Sequence, residues 1–290
     1  MRFAVYEVKG RRGLAVERNG TCTGMFVDDT GYPGDLDFLI ANGVDFATVA
    51  EGLAAGTAVD LDAVRLLPPL SRPNKIICIG LNYRDHSAET GFEEQKYPTV
   101  FARFTSSLIG HLDPIILPPQ SSQLDYEGEL VAVIGKPGHH ISRNNGLDHV
   151  AGYSIFNDAT LRDYQFKTPQ WTMGKNFDGT GAFGPYFVPA QVLPPGCKGL
   201  SLETRLNGKA VQGASISDMI FDVETLVTLM SEVLTLQTGD VIVTGTPAGV
   251  GMAQNPPLWM RAGDVCEVEI EGLGALRNSI RNSVIANGET

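Results

Sequence analysis

Residues 124–135 read LDYEGELVAVIG, so three acidic residues within five positions run directly into an apolar segment. Side chains two residues apart on a β-strand share a face, which places Asp125, Glu127 and Glu129 on one side. Beyond Glu129 both faces are apolar, and this predicts a strand that is buried on both sides. Carboxylates at the end of such a strand are costly to desolvate without a positive partner, and Mg²⁺ accepts several carboxylate oxygens. The alternative is a solvated strand end, because glutamate is rarely fully buried.

A second apolar segment, GYSIFND, also ends in an acid, Asp158. Thr160 and Asp163 follow at the spacing of a capping box that opens a helix. Asp158 therefore either joins the acidic pair in one site or belongs to a helix cap. Its spacing leaves both readings open.

The composition predicts a soluble, globular protein that does not bind nucleic acid. Among 290 residues 43% are hydrophobic, which is enough for a core, and the net charge of -11 leaves no basic stripe for phosphates. The four cysteines form no C-x-x-C pair, which is not zinc-site spacing and is typical of free thiols in a reducing compartment. The N-terminus lacks a long apolar segment and the apolar runs are of strand length, so we expect a cytoplasmic protein without a signal peptide or membrane span.

The chain divides into a small N-terminal module, residues 1–70, and a larger domain, residues 71–290. The module is predicted to be α+β, with a hairpin signal at Asn19-Gly20 and helical apolar spacing after it. The larger part is rich in β-type segments around one clear helix in DVETLVTLMSEVLTL, with Asp222 as its N-cap and Gly239 as its terminator. These patterns predict an α+β, predominantly β fold with a large mixed sheet.

Three further segments carry residues suited to a site, each with a plainer alternative. His86 and Glu89 are three residues apart and share a face in a helical turn, as a general base and its orienting carboxylate would, although a surface helix is a common alternative. Lys175 lies in the Gly-rich loop QWTMGKNFDG, where a solvated lysine is the default. The Gly-rich turn in VIVTGTPAGVG could present backbone N–H groups to a carboxylate or simply connect two strands.

Six segments in this order resemble the fumarylacetoacetate hydrolase family: GLNYRDH, DYEGELVAVIGK, NDATLRDYQ, QWTMGKNFDG, LNGKAVQGASISDMIFD and GDVIVTGTPAGVG. The resemblance covers about residues 72–282. It is strongest to the bacterial branch of acylpyruvate hydrolases and 2-hydroxyhepta-2,4-diene-1,7-dioate isomerases. It implies a mixed β-sandwich roll, a homodimer and one Mg²⁺ or Mn²⁺ per subunit.

The resemblance also implies roles for individual residues. The metal ligands would be Glu127, Glu129 and Asp158, the catalytic residues His86, Glu89 and Lys175, and the substrate contacts Arg103, Arg162, Gln165, Gln170, Gly245 and Thr246. The founding eukaryotic enzymes have a fourth carboxylate ligand without a counterpart here, which implies a water in its place. Many relatives have lysine where this chain has Arg103, and arginine binds carboxylates in a bidentate way that lysine cannot.

The expected reaction is metal-dependent hydrolysis of a carbon–carbon bond in a 1,3-diketo, acylpyruvate-like 2-oxo acid. The same site suits decarboxylation of oxaloacetate-like acids, or keto–enol or double-bond isomerisation, because chemistry diverges on a shared fold. A non-catalytic binding protein is disfavoured, since the acids, the His86–Glu89 pair and Lys175 are all present.

Overall fold

The structure, a computed structural model, describes residues 1–85 and 96–283. Within these residues it contains nineteen strands and five α-helices, joined by loops and short 3-10 turns. The helices are α1 (Leu36–Ala41), α2 (Phe46–Ala54), α3 (Arg162–Gln165), α4 (Thr172–Lys175) and α5 (Val223–Val233). The first ten strands are β1 (Arg2–Val8), β2 (Arg11–Arg18), β3 (Thr21–Phe26), β4 (Thr57–Ala58), β5 (Arg65–Leu66), β6 (Ile76–Gly80), β7 (Thr99–Arg103), β8 (Leu108–Ile109), β9 (Ile115–Leu117) and β10 (Leu124–Asp125). The remaining strands are β11 (Gly128–Ile134), β12 (Val150–Asp158), β13 (Thr160–Leu161), β14 (Gly181–Pro189), β15 (Ser201–Leu206), β16 (Lys209–Ser215), β17 (Val241–Val243), β18 (Val265–Ile270) and β19 (Gly274–Asn282).

The strands form three sheets. The large sheet has the order β4-β3-β2-β1-β14-β12-β11-β17-β6-β7, with β5 beside β1 and β8 beside β14. A small sheet has the order β16-β15-β18-β19-β9, and β10 pairs with β13. The large sheet is mixed, because β17 runs parallel to β6 and antiparallel to β11. This confirms the predicted α+β, predominantly β fold. In the described part of the chain, none of the helices has the length and apolar composition to span a bilayer.

Strand β11 lies inside the large sheet and is buried at every position, as its two apolar faces predict. Val131 and Val133 pack into a core that includes residues of α1 and α2. Leu130 and Ala132 pack on the opposite face, in a core shared with α5 and the small sheet. The strand that carries the acids is thus covered from both sides.

The N-terminal residues extend the large sheet. Asn19 and Gly20 both have positive φ, 54° and 77°, which confirms the predicted hairpin between β2 and β3. Strand β1 then pairs with β14, where Phe3 lies opposite Phe187, so the sheet continues across residue 70. The division into 1–70 and 71–290 stays a prediction.

Helix α5 begins as predicted but ends earlier. The Asp222 side chain accepts a hydrogen bond from the Thr225 amide at 3.0 Å and caps the helix. The prediction that Gly239 terminates it is wrong, because the helix ends at Val233 and Leu234 is already extended. Two backbone hydrogen bonds between Leu236 and the 135–138 loop draw the chain away, and Gly239 forms the turn into β17.

Candidate metal centre and cleft

Two neighbouring antiparallel strands bring three carboxylates together. Strand β11 begins between Glu127 and Glu129, strand β12 ends at Asp158, and the Asp158 amide donates to the Glu127 carbonyl at 2.8 Å. One oxygen from each carboxylate lies within 4.8 Å of the others. Their residues are 6%, 1% and 0% exposed, in that order, so a solvated strand end does not describe this segment.

The glycine between the two glutamates is required by the packing of the small sheet. A Cβ at Gly128 would lie 2.3 Å from Thr204 Oγ1 and 2.9 Å from Val268 Cγ1. Real Cβ atoms do not approach that closely, so a side chain here would push the small sheet away from β11. The Glu-Gly-Glu pattern therefore combines two acids with a close contact between sheets.

Lys175 lies against this acidic cluster. Its Nζ donates to Glu127 Oε2 at 2.5 Å and to Asp158 Oδ2 at 2.7 Å. Helix α4 packs closely on α3 at Gly174, where a Cβ would lie 2.5 Å from the Gln165 backbone nitrogen, and this close packing brings Lys175 inward. It is 1% exposed, so it is not a solvated loop lysine.

Arg103 contacts Asp158 from the other side. Its Nη1 donates to Asp158 Oδ1 at 2.5 Å, its Nη2 to Thr180 Oγ1 at 2.7 Å and its Nε to Ser107 Oγ at 3.3 Å. The side chain is buried, and Arg103 is not among the described residues that line the cleft. A direct contact between Arg103 and a substrate stays a prediction, whereas its contact with Asp158 is part of the structure.

Asp158 does not cap a helix. The N-cap position of α3 belongs to Leu161, without a side-chain hydrogen bond, so the capping-box reading of Thr160 does not hold. The Asp158 carboxylate instead accepts from Arg103 and Lys175. Of the two readings that the sequence leaves open, Asp158 joins the acidic pair.

Arg162 connects the cluster to the third acid of the opening segment. Its Nη2 lies 2.7 Å from Glu127 Oε1, its Nε donates to Asp125 Oδ2 at 2.8 Å and its Nη1 to Gln165 Oε1 at 3.0 Å. Asp125 Oδ1 accepts from the Gly251 amide at 2.7 Å. Asp125 thus holds Arg162 and the Gly-rich turn in place, a role that its position in the sequence does not reveal.

Burial sets the electrostatics of the cluster. Burial raises the pKa of Glu129 well above its ordinary value, and the charges of Asp158 and Glu127 add to the shift. Burial also raises the pKa of Asp158, although Lys175 and Arg103 oppose the change. Burial alone would lower the pKa of Lys175, but Asp158 and Glu127 outweigh it and raise that pKa. The nearby positive charges therefore do not fully offset the hydration that the acids lose on burial. An added cation would supply the missing stabilisation.

Glu127 and Glu129 form part of the wall of a cleft, whereas Asp158 is fully buried and is not among the described residues that line it. Arg162, Gln165 and Thr246 add polar groups, and Ile79, Leu81, Phe101, Phe166, Trp171 and Met252 form the apolar wall. The Trp171 ring packs over Gly80, where a Cβ would lie 2.2 Å from the ring, and against Phe101 at 5.5 Å between centroids. A small organic acid would find both polar partners and apolar contacts in this cleft.

The Gly-rich turn contacts the cluster through its backbone and through Thr246. The Gly245 amide donates to Glu129 Oε2 at 2.5 Å. The Thr246 hydroxyl donates to the Gly128 carbonyl at 3.0 Å and accepts from Gln212 Nε2 at 2.8 Å. Gln212 Oε1 accepts from the Gly128 amide at 3.1 Å, so this residue of the small sheet braces both the turn and the acidic segment. No sequence signal marked Gln212, because its partners lie far away in the chain.

The other predicted site residues lie in different places. Gln165 lines the cleft, whereas Gln170 is exposed and is not among the described residues lining it. His86 and Glu89 lie outside the described residues. The substrate and catalytic roles given to all these residues stay predictions, as does the homodimer.

The three acids fit a divalent metal ion. Carboxylate oxygens are hard ligands of the kind that Mg²⁺ and Mn²⁺ prefer, and three such groups converge from separate chain positions. The burial of the three acids and the raised pKa values of Glu129 and Asp158 indicate a site whose negative charge is incompletely balanced. The donor set does not distinguish Mg²⁺ from Mn²⁺.

Comparison with known proteins places the chain in a family. The profile described as fumarylacetoacetate (FAA) hydrolase C-terminal matches residues 75–281. The chain belongs to the fumarylacetoacetate hydrolase family. Among its relatives, oxaloacetate tautomerase YisK of Bacillus subtilis (strain 168) is 41% identical over 263 residues, which cover 86% of this chain and 87% of the relative.

Solved structures of the family share the whole fold. A fumarylacetoacetate hydrolase from psychrophilic Exiguobacterium antarcticum has a TM-score of 0.85 and 38% identity, covering 98% of this chain and 100% of that one. Maleylpyruvate hydrolase from Sphingobium sp. SYK-6, solved in complex with manganese(II) and pyruvate, has a TM-score of 0.80 and 26% identity. The match covers 98% of this chain and 100% of that one. The family and fold predicted from the sequence are confirmed.

Proposed function

We propose that this protein is a divalent-metal-dependent enzyme that interconverts the keto and enol forms of a short 2-oxo acid, with oxaloacetate as the first substrate to test. The observation that carries the proposal is the convergence of the carboxylates of Glu127, Glu129 and Asp158, the first two of which line a cleft. The oxaloacetate tautomerase of Bacillus subtilis, similar over most of its length, supports the choice of reaction.

Tautomerisation moves one proton and leaves the composition of the substrate unchanged. The keto form loses a proton from C3, negative charge develops on the 2-oxygen, and that oxygen then gains a proton. A divalent ion held by the three carboxylates would supply Lewis-acid stabilisation of that charge. The Lys175 ammonium, whose raised pKa keeps it protonated at neutral pH, provides positive charge against Glu127 and Asp158 and is not suited to act as the base.

The base that removes the C3 proton is expected to be His86, oriented by Glu89. This assignment comes from their spacing and from the family resemblance, and it stays a prediction. The described cleft supplies the binding surface. Arg162, fixed by Asp125, and Thr246, fixed by Gln212, would orient the acid, while Trp171 would shield it from water.

The test is to follow the ultraviolet absorbance of enol-oxaloacetate with purified protein. We expect faster conversion than in buffer, loss of that acceleration on chelation, and recovery with Mg²⁺ or Mn²⁺. Glu129→Gln should lose the acceleration, whereas Glu203→Gln, a matched change on the exposed face of β15, should keep it. Conversion that survives both chelation and Glu129→Gln would refute the proposal.

A second candidate is hydrolysis of a carbon–carbon bond in a 1,3-diketo acid, favoured by the likeness to maleylpyruvate hydrolase. Water would add to the far carbonyl, the bond to C3 would break, and the resulting pyruvate enolate would take up a proton. An acylpyruvate panel assayed for pyruvate and the matching free acid separates this reaction from tautomerisation. Carbon dioxide released from oxaloacetate would identify a decarboxylase in the same panel.

A further inference from the structure

Arg103 fixes one oxygen of Asp158. The guanidinium lies between Asp158 Oδ1, Thr180 Oγ1 and Ser107 Oγ, and each of its nitrogen atoms has one of these partners. Because the group is planar and buried, these contacts restrict its position and that of the Asp158 carboxylate. A lysine at this position would provide the charge without the three-way contact.

The same arrangement recurs at the other two acids. Arg162 Nη2 lies 2.7 Å from Glu127 Oε1, and the Gly245 amide donates to Glu129 Oε2. One oxygen of Asp158 and one of Glu129 thus accept a hydrogen bond from the protein, and one oxygen of Glu127 lies in a close ion pair with Arg162. One donor comes from β7, one from α3 and one from the turn after β17.

Lys175 shows where the opposite oxygens converge. Its Nζ contacts Glu127 Oε2 and Asp158 Oδ2, the oxygens not held by the two arginines. These two carboxylates thus direct one oxygen toward the position that the Lys175 ammonium occupies and the other toward an arginine. This geometry disfavours binding of a metal ion by both oxygens of one carboxylate.

Divalent ions differ in their need for such bidentate contacts. Ca²⁺ takes 6–8 oxygen ligands in flexible arrangements that often include bidentate carboxylates, whereas Mg²⁺ requires near-octahedral geometry and retains several waters. Three single carboxylate oxygens, completed by water or substrate, match an octahedral ion.

We infer that Arg103 is a positioning residue for Asp158, and that Arg103, Arg162 and the Gly245 amide together limit the three ligands to one oxygen each, so that the centre selects Mg²⁺ or Mn²⁺ over Ca²⁺. The inference rests on the metal centre of the proposed function and is independent of which reaction is catalysed. It makes Arg103 a determinant of metal selectivity rather than of substrate recognition.

Direct metal binding without substrate tests the inference. Chelator-treated protein is titrated with Mn²⁺, followed by electron paramagnetic resonance of the free ion, and then with Ca²⁺ as competitor. Wild type should bind Mn²⁺ more tightly than Ca²⁺. Arg103→Met should weaken Mn²⁺ binding about 10- to 100-fold, the usual cost of losing a residue that orients a ligand, and Ca²⁺ binding by less. Arg103→Lys should recover only part of the loss.

A matched control and a second variant keep the result interpretable. Arg65→Met removes an exposed arginine paired with Asp113 and should leave both affinities unchanged. If Arg103→Met does not fold, as judged by circular dichroism, Thr180→Val removes the second partner of the guanidinium and should shift the Mn²⁺ to Ca²⁺ ratio in the same direction.

The other possible results contradict either the inference on metal selectivity or the proposed function. Equal affinity for Ca²⁺ and Mn²⁺ in wild type, an equal loss of both in Arg103→Met, or full recovery in Arg103→Lys would overturn the inference alone. Absence of any divalent-ion binding in wild type would overturn the metal dependence of the proposed function as well. Selective binding without oxaloacetate turnover would leave the inference standing and refute only the reaction.

Discussion

Asp158 and Asp222 each contact one arginine and one lysine, yet their pKa values move in opposite directions. Asp158 lies 2.5 Å from Arg103 and 2.7 Å from Lys175, and its side chain is completely buried. Its pKa is raised, because the loss of hydration and the nearby acids outweigh both cations. Two cations are therefore not sufficient to keep this aspartate at its ordinary pKa.

Asp222 has a similar set of partners in a more hydrated place. Arg143 Nη2 lies 2.8 Å and Lys198 Nζ 3.3 Å from its carboxylate, and 22% of its side chain is exposed. Burial acts to raise the pKa of Asp222, but the hydrogen bonds and cations around its carboxylate lower it more. The hydroxyl and the amide of Thr225 donate to this carboxylate at 2.6 and 3.0 Å. Its pKa is consequently lowered.

The degree of burial and the hydrogen bonds donated by Thr225, rather than the number of paired cations, therefore separate the structural acid Asp222 from the candidate ligand Asp158. Asp222 caps helix α5 and is stabilised as an anion by its surroundings. Asp158 shares a water-poor site with two glutamates, where an additional cation lowers the energy of the anionic form.

The largest expected difference between the cluster around Asp158 and the region around Asp222 is the free energy of unfolding that is lost when a lysine is removed. Lys175→Met in chelated protein should destabilise the fold by about 3–5 kcal/mol, because it removes the buried cation that Glu127 and Asp158 share. Lys198→Met, at a side chain that is 47% exposed, should cost about 0–1 kcal/mol, the range for surface pairs. Urea unfolding of both variants measures the free energy of unfolding.

A cost of Lys175→Met as small as that of Lys198→Met would contradict this distinction. It would mean that the acids of the cluster are protonated, or reached by water, in the chelated protein. Addition of Mn²⁺ to Lys175→Met provides a further control, because a divalent ion should restore part of the lost stability.

A smaller effect is the stabilisation of wild type by a divalent ion. With free Mn²⁺ at about 100 times its dissociation constant, ligand binding to the folded state alone should contribute about 2.7 kcal/mol. Glu129→Gln should lose this contribution, whereas Glu224→Gln, beside Asp222, should retain it. Thermal unfolding with and without Mn²⁺ measures the shift in Tm, and an equal shift in both variants would place the ion elsewhere.

Much of the acidic cluster could be predicted from the sequence, because its signal is local. The continuous apolar run after Glu129 indicates a strand buried on both sides, and acids at its start require a partner. Asp158 was visible as an acid at the end of the next strand, but only the folded chain, in which Leu161 takes the N-cap position of α3, excludes its reading as a helix cap. The fold class followed from the frequency of β-type segments.

The contacts around the cluster could not be predicted, because they join distant parts of the chain. Arg103 meets Asp158 across 55 residues, and Gln212 meets Gly128 across 84. Asp125 was visible as an acid in the decisive segment, yet its partner Arg162 is defined only by the folded chain. Lys175 was identified by family resemblance, since its loop pattern alone favours a solvated side chain.

The smallest expected effect is the pH dependence of stability that single acids contribute. Its direction differs between Glu129 in the buried cluster and Asp222 at the start of helix α5. The pKa of Glu129 is raised in the folded protein, chiefly by burial, so the folded state binds more protons than the unfolded state above pH 4.5. Its contribution to the stability of chelated protein should therefore be lost as pH rises above 4.5. The pKa of Asp222 is lowered, so its contribution should be present above pH 3.8 and lost as pH falls below that value.

Urea unfolding across the acid range separates the two contributions, with wild type compared against Glu129→Gln and against Asp222→Asn. Relative to Glu129→Gln, chelated wild type should lose stability as pH rises, and saturating Mn²⁺ should remove this loss because the ion binds the deprotonated carboxylate. Relative to Asp222→Asn, wild type should lose stability as pH falls, with or without Mn²⁺. If both differences had the same sign, burial and local hydrogen bonds would not be what distinguishes the buried cluster from the capped helix, and the comparison between Asp158 and Asp222 would fail with them.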